Sequence, residues 1–189
     1  LLGAEQSGHM AVVGYDMYMK LLNEAVLEER GIPIPQRADC SADLAVAANI
    51  PERYIPSSEQ RMDIYRRIAM IRTEAEADDL LDELIDRYGD PPPGVNALIQ
   101  VAILRGVAGN AGITDIVQKQ GELRFTLREF DMEKVSELYA RPEYKGKLRV
   151  EAGSRPCLSL KIKSKKNVID EARSFALAWG GDSKERSTA

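Results

Sequence analysis

The residues that could do chemistry in this chain are few and widely spaced. Its one histidine is His9, and its two cysteines, Cys40 and Cys157, lie 117 positions apart with no second cysteine near either. Zinc sites and disulfide frameworks need closely spaced Cys and His residues, so this pattern excludes both in their usual forms. A Ser-His-Asp triad would depend on His9, which is more typical of a helix cap or a surface residue.

Nucleotide chemistry also lacks its sequence signature. A phosphate-binding loop needs the pattern Gly-x-x-x-x-Gly-Lys-Ser/Thr, whose backbone N–H groups hold phosphates and whose lysine reaches the terminal ones. The glycines Gly3 and Gly8 lack that lysine, and the stretch from Gly106 to Gly109 lies in a helical pattern. We therefore predict helix packing or capping for these last glycines. We also predict no cofactor, no metal and no enzymatic activity for this chain itself.

Carboxylates are concentrated in one segment, where seven fall within thirteen positions and no lysine or arginine interrupts them. They are Glu74, Glu76, Asp78, Asp79, Asp82, Glu83 and Asp86. They alternate with leucines at helical spacing, so like charges meet at i,i+4 on one helix and repel each other. The segment predicts either a solvated helix face or a docking face for a basic partner.

The formal net charge of −4 hides an asymmetry along the chain. Residues 1–118 contain 10 basic and 19 acidic residues, whereas residues 119–166 contain 13 basic and 7 acidic residues. The basic residues of the second segment alternate with apolar and acidic ones, which is typical of a solvated face of a sheet. A nucleic-acid-binding module built from residues 119–166 is the alternative interpretation, since such modules concentrate lysine and arginine.

The periodicity of apolar residues predicts the elements of the first part of the chain. A period near 3.6 predicts a long amphipathic helix over 8–30, followed by an extended linker over 31–57 with a short strand at 43–47. Capping boxes that begin at Ser57 and Thr73 predict two further helices, the second of which ends at Gly89. The apolar residues of the second helix fall along one stripe: Ala77, Leu80, Leu81, Leu84, Ile85 and Tyr88. Asp90-Pro91 predicts the start of a third, buried helix that ends near Asn110.

After residue 112 the period changes. The pattern predicts strands at 113–119 and 122–128 around a tight turn, a short helix at 131–139, strands at 147–151 and 158–163, and a closing helix at 168–179. The order of elements indicates an α+β fold: an N-terminal amphipathic helix and extended linker, then a helical cluster packed with a small, mostly antiparallel sheet. We expect Trp179 to anchor the closing helix, and Arg66 and Arg67 to form ion pairs within the fold.

Composition and termini suggest how the chain is organised. Of its 189 residues 44% are hydrophobic and 30% charged, which is typical of a globular domain with a sizeable core. We predict that residues 1–37 end a preceding module, that 38–180 form one domain and that 181–189 are disordered. The chain begins without methionine, and we expect it to be a piece of a longer protein. We predict no membrane-spanning segment and a reducing cytoplasm as its setting.

Three motifs, taken together, resemble a known family. They are Glu5-Gln6-Ser7-Gly8-His9, Tyr65-Arg66-Arg67-Ile68-Ala69 and Glu83-Leu84-Ile85-Asp86-Arg87-Tyr88-Gly89-Asp90-Pro91. In this order the chain resembles the C-terminal part of the bacterial transcription-repair coupling factors, with a likeness that weakens after about residue 120. Branch-migration helicases share the first motif but not the rest.

The resemblance carries several implications. It implies that the whole protein is an ATP-dependent translocase on duplex DNA, with ATP and magnesium bound upstream of this chain. Such a protein displaces RNA polymerase stalled at lesions and recruits the excision-repair protein UvrA in the bacterial cytoplasm. Gln6 matches the glutamine of the family's translocation motif.

The resemblance also implies a role for the acidic segment. The C-terminal domain would be autoinhibitory, because it docks on the UvrA-binding domain of the same polypeptide and masks it. Glu83 and Asp86 match positions of that contact, and we expect Glu76, Asp79 and Asp82 to add to it.

Overall fold

A computed structural model describes residues 40–181 of the chain. These residues form two compact units, which we call unit 1 (45–106) and unit 2 (40–44 and 107–181). The division between the units falls inside a long helix, and the periodicity of apolar residues does not reveal it. The predicted helix at 8–30 and the predicted tail beyond Gly181 lie outside the described residues, and where the domain begins and ends stays a prediction.

Unit 1 contains the helices α1 (Ser58–Met70) and α2 (Glu74–Tyr88), together with most of α3 (Pro93–Asn110). The predicted capping residues begin the first two helices. Ser57 Oγ accepts a hydrogen bond from the Gln60 N–H at 3.3 Å. Thr73 Oγ1 accepts from the Glu76 N–H at 3.2 Å, and the Glu76 carboxylate returns to the Thr73 N–H, which completes a capping box. Local side-chain chemistry therefore decides where both helices begin.

The end of α2 is closed by a glycine and a tyrosine. Gly89 follows the helix with a φ of 81°, in the left-handed region that glycine adopts without strain. The Tyr54 hydroxyl donates to the Gly89 carbonyl at 2.8 Å, and its ring meets that of Tyr88 edge-on. The predicted stop at Gly89 is confirmed.

The start of α3 differs from the prediction. The N–H groups of Val95 and Asn96 donate to the Pro92 carbonyl, so Pro92 precedes the helix and Pro93 takes its first position. The prediction that Asp90-Pro91 begins this helix is wrong, because three successive prolines each suit the first position and the sequence does not distinguish them. The helix ends at Asn110 and is mostly buried, as predicted for a helix that is apolar on nearly every side.

Gly106 lies where α3 passes close to the backbone at Arg72. A Cβ atom at residue 106 would overlap the Arg72 carbonyl oxygen and lie 2.9 Å from the Arg72 Cα. The absence of a side chain thus permits a close approach of two backbone segments. The prediction of helix packing is confirmed for Gly106, and this position has no room for a phosphate.

Unit 2 is built on a five-stranded sheet, with spatial order β1-β2-β3-β5-β4. The strands are β1 (Ser41–Asp43), β2 (Ile113–Lys119), β3 (Glu122–Leu127), β4 (Leu148–Glu151) and β5 (Cys157–Lys161). β1 pairs with β2 in parallel, and all other neighbours are antiparallel. The tight turn between β2 and β3 has positive φ at Gln120 and Gly121, 42° and 82°, which suits the twist of a two-residue hairpin.

The first strand lies earlier than the prediction of 43–47. It occupies Ser41–Asp43, where Ser41 lies opposite Asp115 and Asp43 opposite Val117 of β2. Of the apolar residues that suggested a strand at 43–47, Leu44 is buried outside the sheet, whereas Ala45 and Ala47 are exposed. Pairing with a strand more than seventy residues away decides the position of β1, and no local pattern contains that information.

Two helices complete unit 2, α4 (Met132–Ala140) and α5 (Val168–Gly180). Phe175 of α5 stacks on Phe125 of β3 with ring centroids 4.2 Å apart. Trp179 is only 2% exposed, and Lys134 Nζ of α4 lies 5.3 Å from its ring centre, so the predicted anchoring of the last helix is confirmed. Apart from β1, the predicted strands and helices of this unit agree within two residues at each end, and the α+β fold class is confirmed.

Candidate functional site

The acidic segment predicted from the sequence is α2, and its exposed side is the candidate site. Ala77, Leu80 and Leu84 recur at helical spacing and are buried in unit 1. The opposite side of the helix is exposed. It carries four aspartates that we call the acidic face: Asp78, Asp79, Asp82 and Asp86.

The acidic face has no internal compensation for its charge. Within residues 40–181, no ion pair and no side-chain hydrogen bond reaches any of these four carboxylates. Asp78, Asp82 and Asp86 follow one another at i,i+4, so their charges repel along the helix. A basic partner would remove this repulsion, whereas water only screens it.

Glu83 differs from its neighbours because it is paired within unit 1. Arg67 of α1 donates two hydrogen bonds to the Glu83 carboxylate, at 2.8 and 2.5 Å, and Arg87 donates a third at 3.1 Å. These bonds, that of Arg67 foremost, lower the pKa of Glu83 from its ordinary 4.5 to about 2. The two-pronged bond fixes the orientation of α2 against α1. The predicted pairing of Arg67 inside the fold is confirmed, whereas Arg66 Nε is buried without a hydrogen-bond partner among the described residues.

Glu76 is also committed to local structure. Its carboxylate accepts hydrogen bonds from the backbone N–H groups of Arg72 at 2.7 Å and Thr73 at 3.3 Å. Of the five predicted docking residues, Asp79, Asp82 and Asp86 therefore share the acidic face, and Glu76 and Glu83 lie on the same helix with their charges used inside the unit. Gln6 lies outside the described residues.

Ile85 is a surface residue that sequence reasoning placed in the core. The apolar stripe of α2 predicted it to be buried, but it is 45% exposed. It follows Asp82 by three positions and precedes Asp86, so it borders the acidic face. The apolar stripe of α2 is wider than the surface that neighbouring elements cover. The position of Ile85 at the edge of the stripe was the only sequence signal that it could stay exposed. A single exposed aliphatic side chain is ordinary on a protein surface, but here it lies beside unpaired carboxylates.

The basic segment at 119–166 shows a different arrangement. Arg124 pairs with Glu151 at 2.8 Å, and Arg149 pairs with Glu122 at 3.1 Å and with Glu151 at 3.6 Å. Arg124 and Arg149 lie on either side of Ser159 in the sheet, and Ser159 is only 2% exposed. These ion pairs neutralise part of the basic charge on a solvated sheet face, as predicted, so they leave less of it for a phosphate backbone.

Residues 40–181 contain neither a metal-binding cluster nor a membrane-spanning helix. No group of three or more potential metal ligands occurs among these residues. Helices in the same range are too short or too polar to cross a membrane. Both cysteines are buried, and neither forms a disulfide bond within residues 40–181.

Substitution of Glu83 tests the internal ion pairs. Glu83→Gln is expected to lower the free energy of unfolding by about 1 kcal/mol, because exposed pairs contribute ~0.2–1 kcal/mol each after solvent screening. Asp82→Asn is the matched control, since its carboxylate has no partner among the described residues and should leave stability unchanged or slightly raised. Thermal unfolding at neutral pH measures both. Equal stability of Glu83→Gln and wild type would contradict the pairing.

The lowered pKa of Glu83 gives this stabilisation a defined pH window. A carboxyl group whose pKa is lower in the folded state stabilises the fold above its unfolded pKa, here about 4.5, and loses that effect as the pH falls to about 2. The stability difference between wild type and Glu83→Gln should therefore be complete at pH 6 and above and should vanish near pH 2. Denaturant unfolding at a series of pH values measures this difference. A constant difference down to pH 2 would show that it arises from packing.

Comparison with known families and structures identifies the class of this domain. The model of the TRCF domain family matches residues 44–138, half of the chain, and the chain belongs to this family. The crystal structure of a C-terminal domain of transcription-repair coupling factor shares the fold, with a TM-score of 0.64 at 18% identity. The match covers 76% of this chain and 94% of that one.

Curated relatives point to the same kind of protein. The transcription-repair-coupling factors of Staphylococcus haemolyticus and Bacillus subtilis are each 35% identical to this chain, over 67% and 68% of it. That of Mycobacterium tuberculosis is 38% identical over 61% of the chain. The chain spans only about a tenth of the length of these relatives, 10–11%. The resemblance that the three motifs predicted is confirmed.

Proposed function

We propose that this chain is the C-terminal regulatory domain of an ATP-dependent DNA translocase that couples transcription to repair. The parent protein displaces RNA polymerase stalled at lesions on duplex DNA and recruits UvrA. In its resting state the acidic face docks on a basic surface of the UvrA-binding domain of the same polypeptide and masks it. One observation carries this proposal: four exposed aspartates on one helix side have no partner within residues 40–181.

The contacts of such an interface are individually weak. Exposed ion pairs are worth ~0.2–1 kcal/mol each and are screened by salt. Ile85 would add apolar contact that salt does not screen. We expect a dissociation constant in trans of about 10 μM, which is weak for a stable complex.

Covalent connection makes a weak interface sufficient. Within one polypeptide the UvrA-binding domain is present near the acidic face at an effective concentration on the order of mM. With a trans dissociation constant of about 10 μM, the closed form would then make up about 99% of the molecules. A partner that competes for a few contacts of the acidic face would open the closed form. A regulatory contact therefore needs few and exposed charges, as the acidic face provides.

The remaining predicted residues have supporting roles in this proposal. Glu83 and its arginine partners hold α2 so that the acidic face points outward, and Glu76 fixes the start of the helix. Gln6 would belong to the translocation motif of the parent. ATP and magnesium would bind upstream of this chain in the parent protein, as the family resemblance implies. The bacterial cytoplasm is the proposed setting.

Titration in trans tests the proposal. The chain should bind the isolated UvrA-binding domain with a dissociation constant of about 10 μM at about 50 mM salt and about tenfold more weakly at about 500 mM salt. Asp78→Asn with Asp82→Asn should weaken binding about fivefold at low salt. Each lost ion pair contributes at most ~1 kcal/mol, and screening by salt reduces that contribution. Isothermal titration calorimetry measures both.

The matched control changes two exposed acids on α4 of unit 2, Glu133→Gln with Glu137→Gln. This variant removes the same charge and should bind as wild type does. An equal loss in both variants would mean that overall charge, and not the acidic face, drives the association. No binding at about 100 μM of either domain would contradict the proposed docking.

A further inference from the structure

Unit 2 contains an open cleft of about 550 Å³ that none of the preceding roles uses. Its walls come from the segment that follows α4, from the end of β5 and from α5. The floor is apolar and is formed by Tyr144, Leu160, Leu177 and Ala178. The rim carries four cationic side chains and two acidic ones, Arg141, Lys147, Lys161, Lys163, Glu143 and Glu171. We call this feature the lysine cleft.

Backbone hydrogen bonds hold the basic rim in place. The Lys161 N–H donates to the Lys147 carbonyl at 3.0 Å, and the Lys147 N–H donates to the Tyr144 carbonyl at 3.0 Å. The Lys163 N–H contacts Glu171 Oε2 of α5 at 3.4 Å. The sheet and α5 thus fix the backbone positions of Lys147, Lys161 and Lys163. The cleft is a formed feature of the fold, and its charges are not those of a disordered segment.

Two of these lysines, Lys147 and Lys163, line the same cleft. The nearby Lys163 lowers the pKa of Lys147 below its ordinary 10.5, an effect that Glu171 partly opposes. Like charges that share one cleft repel, and an anionic group bound there would reduce the repulsion. The rim is therefore complementary to a carboxylate or a phosphate.

The floor distinguishes between these two kinds of ligand. Leu177 is 48% exposed and borders the cleft, so its apolar surface is available to an incoming side chain. The aromatic ring of the lining, Tyr144, is only 7% exposed and offers no free face on which a nucleic-acid base could stack. An aliphatic side chain flanked by carboxylates fits both the floor and the rim.

We propose that the lysine cleft is a docking site for an acidic peptide segment of a partner protein. One aliphatic side chain of that segment packs against Leu177, and its neighbouring carboxylates pair with Lys147 and Lys163. The volume of about 550 Å³ lies in the range of ordinary ligand sites, which leaves room for a short peptide segment. Its partner has the opposite charge to the one proposed for the acidic face, so the two surfaces serve different partners.

A peptide-binding experiment on the full chain tests this site. The probe is a fluorescein-labelled peptide of alternating Asp-Asp-Leu units, and fluorescence anisotropy measures its dissociation constant, expected to be about 100 μM at low salt. Lys147→Glu with Lys163→Glu should weaken binding at least about tenfold. Leu177→Ser should weaken it about threefold, because it removes half-exposed apolar surface.

Matched variants and probes separate binding in the cleft from general attraction to charge. Lys119→Glu with Lys166→Glu makes the same change in net charge at exposed lysines outside the cleft and should alter binding less than about twofold. A peptide with serine in place of leucine should bind about threefold more weakly. Lys147→Gln with Lys163→Gln should give an intermediate loss, and circular dichroism should show that every variant is folded.

Three outcomes would overturn the proposal. Equal losses in the cleft variant and the control variant would show attraction to overall charge. Tighter binding of a duplex of about 12 base pairs than of the peptide, lost in the same cleft variant, would make the cleft a nucleic-acid site. Unchanged peptide binding in Lys147→Glu with Lys163→Glu would exclude the cleft altogether. Because Asp82→Lys with Asp86→Lys should leave peptide binding intact, this site and the acidic face are tested independently.

Discussion

Asp82→Lys with Asp86→Lys in the full-length protein is expected to raise the affinity for UvrA between about twentyfold and sixtyfold. Each substitution replaces a proposed attraction with a repulsion, and together they should remove ~2–3 kcal/mol from the docked state. A closed form that makes up about 99% of the molecules would then fall to about half. Because UvrA binds only the open form in this proposal, its apparent affinity rises with the open fraction. Basal ATPase activity should rise with it.

The structure determines which residues make this test clean. Neither Asp82 nor Asp86 has a side-chain partner within residues 40–181, so their reversal should leave the melting temperature nearly unchanged. Glu83→Lys, although it lies on the same helix, would place a third cation between Arg67 and Arg87 and should destabilise unit 1. A gain in UvrA binding from that variant would not separate docking from unfolding.

A UvrA pull-down beside an ATPase assay, at low and at high salt, measures the effect. High salt should raise UvrA binding and basal ATPase activity of the wild-type protein. Both values should therefore come closer to those of the variant. Glu133→Lys with Glu137→Lys on α4 makes the same change in net charge and should behave as the wild type does. If the acidic-face variant leaves both readouts unchanged at both salt concentrations, the acidic face is only a solvated helix surface.

Gly106→Val is expected to lower the melting temperature by about 6–12 °C. A Cβ at this position would overlap the Arg72 carbonyl oxygen, and backbone on both sides leaves no flexible atom to move aside. Overpacking of a core typically costs ~1–3 kcal/mol, and a valine against backbone should reach about 3 kcal/mol. For a chain of this size, each kcal/mol shifts the melting temperature by about 2–4 °C.

Gly153→Val is the control, since a Cβ there meets no atom within 4 Å. It should change the melting temperature by less than about 2 °C. Differential scanning calorimetry measures both variants, and far-ultraviolet circular dichroism checks that helix content is kept. A shift in Gly106→Val as small as that of the control would mean that α3 and the backbone at Arg72 can move apart freely.

Local chemistry explains most of what could be predicted about the fold. The caps at Ser57, Thr73 and Asp131 and the stop at Gly89 act within four residues of the helix ends that they define. Periods of 3.6 and 2 identify helices and strands because burial on one side selects apolar residues at those spacings. Prediction failed where the deciding contact is distant or the local signal is repeated: β1 depends on its pairing with β2, and three prolines compete to begin α3.

For the candidate site, too, features that depend on local sequence could be predicted, and features that depend on distant contacts could not. The sequence by itself determined the family, through three motifs, and the presence of an acidic helix with one apolar side, because both depend on residue types at short spacings. Only the tertiary structure decided which carboxylates stay unpaired, since Glu83 meets Arg67 from a different helix, sixteen positions away. It likewise left Ile85 uncovered and brought Lys147 beside Lys163. Charge and burial depend on neighbours in space, which contacts between distant parts of the chain determine and residue order along it does not show.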